Sequence, residues 1–197
     1  MSVHVVLLGD SIFDNAAYVP RGRDVFTHLR AMLRESGSVT LLAVDGAVID
    51  DVHVQLRSVP GDASHLVLSV GGNDALRYAH LLGDATRSGP RLLNDFAKAV
   101  RDFDQRYRRL IGAVVRLRVP MVACTIYEGN LPTDIARQAA AALGMFNDVI
   151  YRRCAEAGAR VIELRNVCLE QSDYANPIEP SDLGGRKIAS AIASAVA

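Results

Sequence analysis

The sequence predicts an α/β domain in which a parallel sheet is covered by helices on both faces. Short β-branched or apolar runs alternate along the whole chain with longer stretches of helical spacing. The stretches between runs are long enough for parallel crossovers rather than hairpins. With 50% hydrophobic and 22% charged residues, the composition is that of a packed globular chain. The 197 residues suit one domain, 1–197, with no internal repeat, low-complexity tract or linker to divide them.

The first strand is expected at residues 3–8 (VHVVLL) and ends at Gly9. Residues 25–33 have helical spacing at Phe26, Leu29 and Leu33, and Gly37 follows. A second strand is expected at 39–44 (VTLLAV). A helix follows at 49–59 on Val52, Leu56 and Val59, then a third strand at 66–70 that ends at Gly71-Gly72. The long stripe Leu92, Phe96, Val100, Phe103, Tyr107, Leu110 and Val114 predicts a helix over about 90–118. A fourth strand falls within 119–126, from Met121. Residues 133–157 read as a helix with Thr133 as cap, Asp134 in the first turn and Gly158 at its end. A fifth strand is expected at 160–164 (RVIEL). A proline-bearing loop, 171–180, then leads into a final helix capped by Ser181. Periodicity does not reveal the strand order.

Basic and acidic residues balance at 22 each, so no basic footprint for nucleic acid is visible. The densest cationic stretch, Arg106, Arg108 and Arg109 with Arg116 and Arg118, is interleaved with Asp102 and Asp104 and reads as a solvated helix face. Cys124, Cys154 and Cys168 are too widely spaced for a metal or redox motif or a disulfide framework, and Cys124 reads as a buried small hydrophobe. No GxxxxGK[ST] or GxGxxG pattern and no metal-ligand spacing is present, so no cofactor or metal is expected. No run approaches the ~20 apolar residues of a membrane span. The start, lacking a basic leader, reads as that of a cytoplasmic protein.

Open parallel sheets bind ligands beyond the carboxyl ends of their strands. Those positions hold Gly9-Asp10-Ser11-Ile12, then Asp45-Gly46-Ala47, then Gly71-Gly72-Asn73-Asp74. Each alone is an ordinary turn or helix start. Serine, glycine and asparagine at three successive strand ends form a set. In this order and spacing the sequence resembles the SGNH hydrolase superfamily of GDSL-type esterases and lipases. Ile12 stands where leucine is usual.

The resemblance runs from residue 5 to the final helix. It implies a flavodoxin-like three-layer α/β/α sandwich with a five-stranded parallel sheet. It also implies Ser11 as nucleophile, with an oxyanion hole from the N–H groups of Ser11 and Gly46 and the side-chain amide of Asn73. Those roles suit the chemistry: acyl transfer needs a nucleophile and fixed donors aimed at the developing oxyanion. The implied partner is a small-molecule ester, with a small acyl or acetyl group as the default. Asp10, Asp14, Asn15, Asp74 and Tyr127 are candidates for substrate contact, and Glu128 sits beside Tyr127.

The family's last block, Asp-x-x-His before Pro-Ser, here reads Asn176-Pro177-Ile178-Glu179 before Pro180-Ser181. No histidine lies beyond His80. In one reading Glu179 is the general base and Asn176 orients its carboxylate. A neutral Asn with an ionised Glu carries the same charge as an ionised Asp with a neutral His. An ordinary glutamate is about 3 kcal/mol less basic than histidine, so burial would have to raise its pKa. A second reading is an inactive pseudo-enzyme that binds an acylated or glycan ligand. A third takes the base from His80 or Asp182. Outside the family, a flavodoxin-like binding module without chemistry is the rival.

Overall fold

The computed structural model describes residues 3–21, 23–82 and 88–197. Its sheet has five strands: β1 (Val3–Gly9), β2 (Gly37–Leu41), β3 (His65–Ser69), β4 (Met121–Cys124) and β5 (Arg160–Ile162). They lie in the order β2-β1-β3-β4-β5, and every pair is parallel. This is the doubly wound α/β sandwich expected from the sequence.

Alternation along the buried strands builds the two cores. Val6, Leu8, Leu66, Leu68 and Ala123 face one side, and Val5, Leu7, Val67, Val122 and Cys124 face the other. The first face is covered by α2 (Ile49–Gln55), α4 (Gly89–Val115) and α5 (Thr133–Glu156) through Val52, Phe103, Leu110, Phe146 and Ile150. The second is covered by α1 (Val25–Met32) and α6 (Asp182–Val196) through Leu29, Ile188 and Ile192. Cys124, Cys154 and Cys168 are buried free thiols.

The element boundaries differ from the sequence reading in informative places. β2 stops at Leu41, because the Leu42 and Ala43 N–H groups share the Leu7 carbonyl and Val44 N–H turns to the Gly9 carbonyl. The chain is thereby drawn off the sheet edge toward β1. β5 stops at Ile162, because the Glu163 side chain accepts the Arg165 N–H and starts a 3-10 turn, Leu164–Asn166. Gly71-Gly72 opens a short helix, α3 (Gly72–Leu76), that strand-and-helix periodicity did not mark. Thr133 is the first residue of α5 and Pro132 the cap, whereas the Ser181 hydroxyl does cap α6 by accepting the Gly184 N–H. Arg106 departs from the solvated face assigned to its cluster: it is buried, and its Nη1 lies 2.6 Å from Asp74 Oδ1.

The chain leaves β1 for β2 on one side and returns to β3 on the other, so a crevice opens between the carboxyl ends of β1 and β3. At its floor Asp10 N–H donates to the Ser69 carbonyl. Gly9 has φ +131°, and a Cβ there would run into that same carbonyl, so only glycine lets the strands end this close.

Candidate active site

Four loops converge on the crevice. The first is the turn after β1. Phe13 and Asp14 both donate their N–H to the Asp10 carbonyl, which leaves Ser11 on the outside of the turn. Gln55, buried on α2, clamps the strand end: its Oε1 accepts Gly9 N–H and its Nε2 donates to the Gly9 carbonyl, each at 2.8 Å. Nothing in the sequence marked this glutamine beyond its place on an otherwise apolar helical face.

The second loop follows β2. Ala47 N–H closes a turn on the Val44 carbonyl, with Gly46 at φ +78° in its third position, the conformation that favours glycine. Asp14 Oδ2 accepts the Asp45 N–H at 2.9 Å and joins this loop to the first. The third is the start of α3. There Asn73 Nδ2 donates to the Ala47 carbonyl at 3.0 Å, which leaves its second N–H unclaimed among the described residues. The N–H groups of Ser11 and Gly46 are likewise without a protein acceptor among the described residues.

The fourth loop carries Glu179. Asp173, fully buried, is gripped by Lys187 of α6, whose Nζ lies 2.7 Å from its Oδ1. Ser181 N–H donates to the Asp173 carbonyl, and Tyr174 bridges Pro180. From the β4 side, Tyr127 Oη donates to the Ile178 carbonyl at 2.6 Å. From the β1 side, Asn15 Nδ2 donates to the Pro180 carbonyl at 3.1 Å. Asn176 Oδ1 accepts the N–H groups of Ile178 and Glu179, both at 2.9 Å. Asn176 therefore orients Glu179 through the backbone, in place of the carboxylate contact anticipated from sequence.

Held this way, Glu179 Oε1 accepts the Ser11 hydroxyl at 3.0 Å. Glu179 is 5% exposed, and its second oxygen is buried without a hydrogen-bond partner. Burial raises its pKa to about 7; the Ser11 hydroxyl acts against that shift and the Asp45 charge adds to it. The carboxylate thus gains the basicity an ordinary glutamate lacks. Asp10 is pushed further, to about 8, first by burial, with its bond to Ile12 N–H opposing and the Glu179 and Asp74 charges adding.

The other anticipated residues are placed as follows. Asp74 is fully buried, with one oxygen on Arg106 and the other accepting the Ile49 N–H. Asn15 is fully buried between Val25 N–H and Pro180. Both are fully buried on framework groups, away from the lining of the cavity at Ser11, in correction of the sequence reading, and Asp14 is likewise engaged on the Gly46 loop. Asp10, Tyr127 and Glu128 line a cavity that opens on Ser11. His80 is exposed and bonded to the Arg77 carbonyl, and Asp182 pairs with Arg23 and His28. Neither accepts the Ser11 hydroxyl. Among the described residues no cluster has the makings of a metal site, and no helix is long and apolar enough to cross a membrane.

The sequence profile of the GDSL-like lipase/acylhydrolase family matches residues 7–186. The chain belongs to that family. Among curated protein sequences none matches. Among solved structures, an acetyl xylan esterase, AlAXEase, is similar at TM-score 0.76 and 18% identity, over 99% of this chain and 100% of that one. A phospholipase A1 from Streptomyces albidoflavus NA297 is similar at TM-score 0.73 and 16% identity, over 99% and 100%. An extracellular lipase from Streptomyces rimosus is similar at TM-score 0.72 and 17% identity, over 98% and 100%. At these identities the likeness speaks for the fold, and it covers the whole of each of these three chains.

Proposed function

We propose that this GDSL-family chain is a carboxylic ester hydrolase that works through an acyl-enzyme on Ser11, with Glu179 as general base. The observation that carries the reading is the 3.0 Å bond from the Ser11 hydroxyl to a buried carboxylate of raised pKa. Ser11 Oγ attacks the acyl carbon as its proton passes to Glu179 Oε1, and the carbonyl electrons move onto the oxygen. The N–H groups of Ser11 and Gly46 and the free N–H of Asn73 receive that oxyanion. Collapse breaks the ester C–O bond, and the leaving alcohol takes the proton back from Glu179. Water then attacks the acyl carbon as Glu179 takes its proton; collapse breaks the acyl–Oγ bond, Glu179 returns the proton to Ser11 Oγ, and the acid departs. Asn176, Tyr127 and Asn15 are positioning residues for Glu179, and Asp10 shapes the nucleophile's turn.

The test is hydrolysis of p-nitrophenyl esters by wild type, Ser11→Ala and Glu179→Gln. Loss of at least a hundredfold in kcat in each variant is expected, since a positioned base contributes about 10²–10⁴. Full activity in Glu179→Gln would move the base elsewhere. An inert wild type that still binds acylated or glycan ligands would identify a pseudo-enzyme.

A further inference from the structure

The Ser11–Glu179 pair opens into a cavity of about 440 Å3 whose polarity is one-sided. Most of its polar lining, Asp10, Ser11, Ser69, Asn73, Thr125, Tyr127, Glu128 and Glu179, comes from the strand ends and loops around the nucleophile. The rest of the wall is apolar but for Tyr78, whose hydroxyl donates to Asp102. Phe96 of α4 and Ala139, Ala142, Leu143 and Phe146 of α5 line it, with Leu82 from the segment after α3. Small side chains on α5 leave this room between α4 and the β4 exit. Leu76, Ile135 and Ile178, all exposed, also line the cavity. Large apolar side chains held in water beside a site mark where an apolar ligand enters.

We infer that this cavity takes the acyl chain of the substrate, a straight hydrocarbon of medium length, beyond the acetyl or small acyl group the sequence suggested. The inference rests on the proposed acyl transfer at Ser11. The reacting carbonyl must sit at the polar end, between Ser11 and Asn73, so the apolar space lies beside it, and the acyl chain is the part of the ester held there through both half-reactions, whereas the alcohol leaves after the first. A sugar hydroxyl there would be stripped of water and left without a partner, a heavy penalty. At roughly 30 Å3 per water-sized group, the space holds on the order of a dozen such groups, enough for a chain of about eight carbons with room left at the mouth. Each methylene buried in the transition state should raise kcat/KM by about fourfold until the wall is reached.

The experiment combines turnover and binding. Wild type is assayed on p-nitrophenyl acetate, butanoate, octanoate and dodecanoate, and on acetate esters of alcohols of increasing length. Ser11→Ala is titrated with intact methyl acetate and methyl octanoate. The expected result is kcat/KM rising by at least a hundredfold from acetate to octanoate, flat dependence on alcohol length, and tighter binding of methyl octanoate by Ser11→Ala. Two wall variants, Ala142→Leu and Ala139→Leu, should each lower the octanoate-to-acetate ratio of kcat/KM by tenfold or more, with melting curves checking the fold. Turnover that falls with acyl length, or rises with alcohol length instead, overturns the inference and leaves the hydrolase standing. An inert wild type whose Ser11→Ala variant still prefers methyl octanoate overturns the hydrolase and leaves the apolar ligand site standing. Equal binding of both esters with no turnover removes both.

Discussion

At the scale of single residues, Glu179 sets the pH dependence of the proposed reaction and lowers stability in the same act. A base must be ionised, so kcat/KM should rise with pH through a single limb near 7, where burial has placed the carboxyl. An unburied glutamate would put that limb two units or more lower. The Asp45 charge contributes to the rise, so Asp45→Asn should shift the limb to lower pH. The same shift bears on folding. The folded pKa of Glu179 lies above the unfolded one, so the native state binds the extra proton between about 4.5 and 7. Its contribution is favourable below that window and is lost as pH rises through it. At pH 8.5 the buried charge costs of order 3 kcal/mol. Glu179→Gln should therefore raise the melting temperature relative to wild type more at pH 8.5 than at pH 4.5. An equal shift at both values would mean that the carboxyl is not perturbed.

At the scale of elements, Glu179 is only as well placed as its loop, and that loop is held from three sides. Lys187 grips Asp173 from α6, Asn15 reaches from the turn after β1, and Tyr127 reaches from the exit of β4. Tyr127→Phe deletes only the 2.6 Å bond to the Ile178 carbonyl, worth about 1 kcal/mol. It should lower kcat several-fold with a small change in melting temperature, a split that separates a positioning bond from a structural one. The sequence showed much of this scale. Short apolar and β-branched runs located the five strands, 3.6-residue spacing the longer helices, and the Asn-Pro-Ile-Glu-Pro-Ser stretch marked the loop that meets Ser11. The rest was hidden for physical reasons. The short α3 is less than two turns long, too short to repeat a helical pattern. Gln55 and Arg106 carry polar side chains, which binary patterning assigns to solvent until their partners, the Gly9 backbone and Asp74, are known.

At the scale of the whole molecule, the crevice between β1 and β3 stays in register with its helices through one buried ion pair. Arg106 projects from the middle of α4 to Asp74 at 2.6 Å. Asp74 Oδ2 accepts the N–H of Ile49 at the start of α2, and the adjacent Asn73 holds the Ala47 carbonyl. A carboxylate anchored on α4 thus helps to hold the segments that carry the proposed oxyanion donors at Gly46 and Asn73, beside the Asp14 bond to Asp45 N–H. Asp74 is fully buried and Arg106 is its ion-pair partner, so removing Arg106 strands the carboxylate at a cost of about 3–5 kcal/mol. Arg106→Met should lower the melting temperature by roughly 10 °C on that scale for a chain of this size. Asp74→Asn keeps an acceptor for Ile49 N–H, and the guanidinium keeps Asp102 at 3.2 Å and Asp50 at 4.0 Å, so this variant should cost less than Arg106→Met. Arg106→Met combined with Asp74→Asn should recover part of the loss, because no unpaired buried charge remains. The coupling should appear in a urea-denaturation double-mutant cycle as an interaction of at least 1 kcal/mol. In that double variant, if stability returns while kcat stays depressed and KM holds, the pair acts on the geometry of the oxyanion donors. If kcat returns along with stability, the ion pair serves the fold alone.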